Sequence, residues 1–415
     1  MAQALENITL LDLTHMLAGP FATMVLADLG AETIKIEPTG RGEATRQLLA
    51  DDPVHSVDGM GAYFMTLNRG KKSVSLDLKS PQGHALFYRL VEKADVVVDN
   101  FSPGVAKRLG IDHAALSAVN PRIVTCSVSG FGQTGPGAGR TAFDLVAQAM
   151  GGGMSITGEQ DGRALRAGIP IGDLAGGLFA AIGILAAIRD RDTTGKGQAV
   201  DISMLDCQIS LLNYMATMYL MSGEQPARLG NAHFAHVPYD TFATQTRDIV
   251  VCILTDAQWS AFAVQTGLPE NLAQDFATRY RRLVGRDELL PVINDRLQQA
   301  TCEHWLEVLG QRGIPCAPVN DFAHALADPQ VLHRNMVREV PLPGGKSARI
   351  PGNPVKLSAA PEPEYSAPPL LGQHTRDVLR TMCALSDVEI DRLSQDHVVD
   401  DGSRSGAMAA DQAAD

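Results

Sequence analysis

Short apolar runs occur in the first half of the chain at 8–14 (ITLLDLT) and 95–99 (DVVVD), and further strand segments are predicted at 32–37 (ETIKIE) and 122–129 (RIVTCSVS). Such runs predict strands buried on both faces, the condition of a parallel sheet. Another run, 73–78 (SVSLDL), alternates apolar and polar positions as a strand does. Helical stretches separate these segments. In LAGPFATMVLADLGA, Pro20 stands near the start and Gly30 just past the end, as helix termini favour. Further helices are predicted at 81–94 and 143–150, with a short one opened by Pro103 and Gly104. The strand–helix–strand rhythm predicts a doubly wound α/β sheet. TGKGQAVDISM predicts a hairpin-like turn and strand, and a long apolar helix comes after it at 205–221. The pattern changes near Ser222, where GEQPARLGNAHFAHVPYD is polar and carries Gly, Pro and His. Two strands within 241–254, helices near 257–266, 286–300 and 303–312, and the strand IPCAPV predict a smaller α+β domain. Short strands from about 338 and helices near 376–382 and 387–394 come next. The small, acidic end of the chain is expected to be disordered.

The segment 166–189, RAGIPIGDLAGGLFAAIGILAAIR, holds one carboxylate, Asp173, and no further charge until Arg189. A stretch this apolar on all sides predicts a buried helix. Its length falls short of the about 20 apolar residues a bilayer crossing needs. Asp173 falls where the helix should begin, and Asp is a preferred N-cap there. The same place suits a nucleophile. The helix dipole favours the ionised carboxylate, and Gly172, Gly176 and Gly177 leave room for a bulky substrate. A positioned carboxylate can act covalently. On the residues alone both roles stand.

Composition narrows the partners. A chain of 415 residues has room for two or three domains. Its net charge of −12 argues against nucleic acid or an anionic membrane surface as partner, so an anionic ligand would need a local basic pocket. Arg41 lies in the polar connection 38–65, and Asn68, Arg69, Lys71 and Lys72 form a basic knot that could equally be a solvated turn. Asn100 and Phe101 end a strand just before the short helix that carries Lys107 and Arg108, a place suited to anions or to an ordinary turn. Arg140 closes the glycine-rich loop GFGQTGPGAGR. The six cysteines are scattered without a C-x-x-C, which suits structural thiols in the cytoplasm, and the N-terminus lacks the marks of a signal peptide. His233 and His236 sit in a Pro-containing loop without a third ligand, so no metal site is expected. LAGP is not a G-x-G-x-x-G fingerprint and G-x-S-x-G is missing, which disfavours nicotinamide binding at the start and serine-hydrolase chemistry.

In order and spacing, LAGPFATMVLADLGAETIKIE, LNRGKKSVSLDLKS, VVVDNFSPGVAKRLG, GFGQTGPGAGRTAFDLVAQAMGG, GDLAGGLFAAIGILAAI and TGKGQAVDISMLD resemble the family III CoA-transferases, which include formyl-CoA transferase and carnitine CoA-transferase. RLGNAHFAHVPYDTF and PPLLGQHT extend the resemblance to roughly residues 6–384. It implies a Rossmann-like large domain formed by 1–222 and 331–396, a small α+β domain at 223–330 and a tail at 397–415. It also implies a homodimer of interlocked chains. The implied substrates are an acyl-CoA donor and a carboxylate acceptor, with no permanently bound cofactor and no metal, nucleic acid or membrane.

Asp173 matches the family's catalytic aspartate, and Asn100 and Phe101 match its contacts near adenosine. Lys107 or Arg108 would meet phosphates, and Arg69, Lys71 and Lys72 match a stretch near the nucleotide. Arg140 matches a basic CoA contact, and Arg41 would substitute for a basic residue replaced by Pro38. Leu17, beside Ala18, stands where formyl-CoA transferases carry a glutamine facing the acyl group, and their tetraglycine loop is missing between 222 and 247. Formyl–oxalate exchange is therefore not expected. The GQTGP and SITG segments look more like members that use succinyl-CoA, and Arg166 or Arg228 could pair a distal carboxylate. The related 2-methylacyl-CoA racemases show Gly-His-Asp where this chain has Ala142, Phe143 and Asp144. Phe143 cannot accept a proton, and Asp144 is expected to N-cap its helix. A non-catalytic acyl-CoA-binding protein is a third reading, against which the intact GD-x-x-GG context of Asp173 argues.

Overall fold

The structure, a computed structural model, describes residues 3–342 and 345–402. The chain divides into two compact units. Met1–Gly153, Ala167–Thr217 and the stretch from His333 form the larger, while Met154–Arg166 and Met218–Leu332 form the smaller. The segment 154–166, read from sequence as part of the first domain, thus belongs with the second.

The larger unit is built on seven strands: β1 (Thr9–Asp12), β2 (Glu32–Glu37), β3 (Lys72–Leu76), β4 (Val96–Asp99), β5 (Val124–Ser129), β6 (Ala199–Ser203) and β7 (Val399–Asp400). They lie in the order β7-β3-β2-β1-β4-β5-β6. The first six are parallel, and β7 is antiparallel to β3. This is the doubly wound order, in which the winding reverses between β1 and β4. Period-two alternation explains the apolar runs. Leu11, Ile34 and Val97 pack into one core cluster, and Leu10, Val96 and Val98 into another. The strand β7 corrects the tail expected to be disordered from 397, because Val399 and Asp400 pair with Leu76 and Ser75. Residues 403–415 of that tail lie outside the described residues.

Four helices frame the carboxyl ends of these strands: α1 (Ala18–Asp28), α2 (Asp144–Met150), α3 (Ile171–Thr194) and α4 (Met204–Leu212). By length and composition α3 is able to cross a membrane, which corrects the expectation that it is too short. Here it covers the sheet instead. Its buried Ala175, Gly176, Gly177, Ala180 and Ala181 lie within a helix that packs on α1, β5 and β6. Because the chain crosses from β5 to β6 through α3, β6 is a parallel neighbour of β5 and not a hairpin arm. The predicted helix at 205–221 is broken at Asn213, whose φ of 48° separates α4 from Tyr214–Ser222. Asn is among the non-glycine residues most often found at positive φ.

The smaller unit carries a three-stranded antiparallel sheet of Tyr239–Phe242, Ile249–Cys252 and Cys316–Pro318. Trp259, Phe262, Ile293 and Trp305 fill its core.

Candidate active site

In a doubly wound sheet, ligands bind beyond the carboxyl ends of the strands, where the winding reverses. Here that point lies between the ends of β1 and β4, and a buried network fixes the β1 side. Asp12 accepts from the Thr14 amide at 2.8 Å and the Thr14 hydroxyl at 2.5 Å, and from Thr23 Oγ1 at 2.8 Å and Lys71 Nζ at 2.9 Å. Lys35 Nζ donates to the Thr14 carbonyl at 2.7 Å. Burial alone would raise the Asp12 pKa, but Lys35 and Lys71 hold it well below the usual range. On the β4 side, Asn100 Oδ1 accepts the His15 N–H at 3.0 Å and its Nδ2 donates to the His15 carbonyl at 2.7 Å. One amide side chain therefore clamps the two strand ends together.

Beyond this clamp lie two clefts. The first, of about 240 Å³, contains Asp173, Leu17, Ala18, Asn100, Phe101 and Arg140. The second, of about 440 Å³, is lined by Arg41, Gln47, Lys79 and Leu109 among others. His15 and Phe101 line both, with their rings 5.7 Å apart. The wall of the second cleft is anchored by Arg46, whose Nε and Nη2 reach Glu37 at 2.6 and 2.7 Å.

Asp173 stands in the first turn of α3, half-buried. It is not the N-cap expected from the sequence, since that position is Pro170, which makes no side-chain cap. Nor does Asp144 cap its own helix, whose N-cap is Phe143. Instead Asp144 Oδ1 reaches across to the N–H groups of Gly172 and Asp173, at 2.8 and 3.4 Å. Burial first, and the Asp144 charge second, push the Asp173 pKa up to about 6.

Other expected residues go elsewhere. Arg69 is buried in an ion pair with Asp28, with Nη2 to Oδ2 at 2.7 Å, and stacks 4.6 Å from the Tyr365 ring. Lys71 is buried on Asp12, and burial lowers its pKa to about 8 against the pull of that carboxylate. Lys72 pairs with Glu32 at the amino ends of β3 and β2, away from the carboxyl ends where the clefts open. The basic knot is thus structural rather than cleft-lining. Lys107 and Arg108 are exposed on their short helix and line neither cleft. Arg228 is occupied within the smaller unit by the carbonyls of Gly162, Ser155 and Glu159, at 2.7, 3.2 and 3.4 Å.

Sequence reasoning missed several cleft residues. Tyr63, in a stretch read as polar connection, lies on the helix Ala62–Asn68. Burial and then Asp173 push its pKa up to about 12, so it remains a hydroxyl donor. Ser129, at the end of β5, has a buried hydroxyl without a partner among the described residues. His15 is kept toward the neutral form by burial and by Lys35. The apolar run YFMTL could have revealed the Tyr63 helix; nothing local marks Ser129.

Residues 5–375 match the family profile described as CoA-transferase family III. The chain is 36% identical over 397 residues to the human succinyl-CoA:glutarate CoA-transferase, covering 95% of this chain and 90% of that protein. It is 41% identical over 361 residues to the acetyl-CoA:oxalate CoA-transferase of Acetobacter aceti, covering 86% and 90%. Among solved structures, a CAIB/BAIF family protein from Brucella suis superposes with a TM-score of 0.83 at 34% identity, covering 92% of this chain and all of that one.

Proposed function

Since this chain belongs to CoA-transferase family III, an enzyme family that moves CoA between an acyl-CoA and a carboxylic acid, we propose that Asp173 is the nucleophile of that transfer. The observation that carries this reading is a half-buried carboxylate, without a hydrogen-bonding or ion-pairing partner among the described residues, at the mouth of α3 in a cleft beyond the β1–β4 switch point.

The Asp173 carboxylate attacks the donor thioester carbonyl, and CoA leaves as thiolate, giving a mixed anhydride. The thiolate attacks the aspartyl carbonyl, releasing the donor acid and leaving an aspartyl-CoA thioester. The acceptor carboxylate attacks this thioester and expels the thiolate again. The thiolate then attacks the acceptor carbonyl of the second anhydride, forming the new acyl-CoA and freeing Asp173. Each step exchanges one activated acyl bond for another, so no outside energy source is needed. A carboxylate with a pKa of about 6 is more basic, and hence more nucleophilic, than an ordinary aspartate while still ionised at neutral pH. The Tyr63 and Ser129 hydroxyls are donors available to a developing oxyanion. Apolar lining by Leu17, Ala142, Phe143 and Met204 helps to exclude the water that would hydrolyse an anhydride.

The nucleotide half of CoA would occupy the larger cleft, with Arg41 and Lys79 toward its phosphates and the pantetheine passing between His15 and Phe101. Asn100 acts there by holding the His15 backbone, and Arg140 supplies the cation at the Asp173 cleft. Relatives named for succinyl-CoA support succinyl-CoA as donor and a dicarboxylic acid as acceptor. The working form is a homodimer. Exposed apolar side chains such as Leu178 and Ile182, one turn apart on α3, support a partner surface.

The test is peptide mass spectrometry after incubation with succinyl-, acetyl-, formyl- and propionyl-CoA, using hydroxylamine or borohydride to trap the intermediate. A donor-dependent modification of the Asp173 peptide, lost in Asp173→Ala, is the expected result. Full exchange activity in Asp173→Ala would refute it.

A further inference from the structure

The first turn of a helix presents backbone N–H groups without intrahelical partners, and an acidic side chain in that turn is drawn to them. Asp173 is such a side chain, and α3 has no side-chain cap of its own at Pro170. Left alone, the Asp173 carboxylate would be drawn back onto its own helix. The observed bonds prevent this. Ile171 N–H goes to the Ile169 carbonyl at 2.8 Å and Leu174 N–H to the Pro170 carbonyl at 3.0 Å. The N–H groups between them, on Gly172 and Asp173, go to Asp144 Oδ1. Asp144 is itself held, because Gln148 Nε2 donates to Oδ2 at 2.8 Å while Gln148 Oε1 accepts the Ala167 N–H at 2.9 Å. Gln148 is buried. A Cβ on Gly172 would sit 2.9 Å from Asp144 Oδ1, so the close approach depends on glycine there.

We propose that Asp144 is a positioning residue for the Asp173 nucleophile: it caps α3 from a different helix, occupying the N–H groups that would otherwise capture the Asp173 carboxylate and leaving that carboxylate free to attack. The inference rests on Asp173 being the nucleophile. It assigns Asp144 no contact with substrate. Its charge acts in the same direction as its hydrogen bonds, since a second carboxylate at the helix terminus opposes ionisation of Asp173. The other titratable or charged groups lining the cleft are Tyr63 on its helix, His15 after β1 and Arg140 after β5; α1 and α4 present only Ala18 and Met204.

The experiment compares wild type, Asp144→Asn and Asp144→Ala in full-length enzyme. The readouts are the pH profile of kcat/KM, kcat and KM separately, thermal melts and the Asp173 adduct. Asp144→Asn keeps the shape and can keep an acceptor oxygen, but removes the charge. Asp144→Ala removes both. The expected result is an acid limb shifted to lower pH in both variants. In Asp144→Ala, kcat should fall about ten- to a hundredfold, as for a misplaced reacting group, while KM for acyl-CoA is unchanged. Asp144→Asn should retain more of kcat than Asp144→Ala. An acid limb that stays at the wild-type pH in both variants, with only the melting temperature lowered, would show a packing role and overturn the inference. If wild type itself forms no Asp173 adduct, the nucleophile assignment fails and this inference with it. A wild-type adduct with unaltered variant kinetics overturns the role of Asp144 alone.

Discussion

Gly177 tests whether the close seam between α1 and α3 sets the active-site geometry. A Cβ at this position would lie 2.6 Å from the Ala18 carbonyl oxygen, 2.9 Å from Phe21 Cδ1 and 3.3 Å from the Ala22 nitrogen. Comfortable contacts begin near about 3.5 Å, so Gly177→Ala must move the two helices apart by about 1 Å. The obstacle is backbone, which cannot rotate aside as a side-chain tip can. Overpacking of this kind costs about 1–3 kcal/mol. The alanine recovers about 1 kcal/mol in helix propensity, which leaves a net loss of about 0–2 kcal/mol. The effect on activity should be larger. Ala18 lies in the cleft lining, and Asp173 is one turn earlier on α3. A displacement of about 1 Å at reacting groups can cost about a hundredfold. Far-UV circular dichroism in urea is the suitable stability assay, because both tryptophans, Trp259 and Trp305, belong to the smaller unit. Initial rates of CoA transfer give the functional readout. Gly310→Ala is the control, since nothing lies within 4 Å of a Cβ built at Gly310. A Gly177→Ala enzyme matching wild type in both unfolding midpoint and rate would refute the reasoning.

Three other outcomes are expected from the same geometry. With the Asp173 carboxylate as the proposed attacking species and its pKa raised to about 6, kcat/KM should be flat above that value and fall about tenfold per pH unit below it. A profile flat down to pH 4 would exclude Asp173 as the ionising group. Arg69→Met strands the buried Asp28 carboxylate and should cost about 3–5 kcal/mol of stability, read from denaturant midpoints, with KM for acyl-CoA unchanged. A raised KM with unaltered stability would return Arg69 to the ligand. Arg41→Ala removes a cation from the larger cleft and should raise KM for acyl-CoA by about tenfold or more, with kcat within about twofold; an unchanged KM would remove Arg41 from the CoA site.

Much of the larger unit can be read from local pattern. Strands buried on both faces need consecutive apolar residues, so ITLLDLT and DVVVD are recognisable without knowing their neighbours. The apolar stretch after Asp173 likewise announces a buried helix, but the room expected at Gly172, Gly176 and Gly177 for a substrate is taken up by Asp144, Met204 and Ala18. The pattern misled where a single backbone angle or a long-range partner overrode a local preference. The long helix expected at 205–221 breaks at a single Asn with a positive φ, which periodicity does not register. The basic cluster at 69–72 looks like a phosphate site because sequence shows charge but not direction. Two of its cations point into the fold, toward Asp28 and Asp12, 41 and 59 residues away along the chain.

The alternation of buried strands and covering helices, the acidic balance, and one carboxylate at the head of an apolar helix are all properties of the amino-acid order. They depend on residues close in the chain, whose periodicity and propensity act within a few turns or strand lengths. Which carboxylate is free to react is a property of the folded molecule. Asp173 and Asp144 are both acids at helix starts, indistinguishable by local preference. Only the packing of α2 against α3 turns one into a cap for the other and leaves Asp173 facing the cleft. That choice depends on hydrogen bonds between residues 28 and 29 positions apart, and no local pattern specifies a distance of that kind.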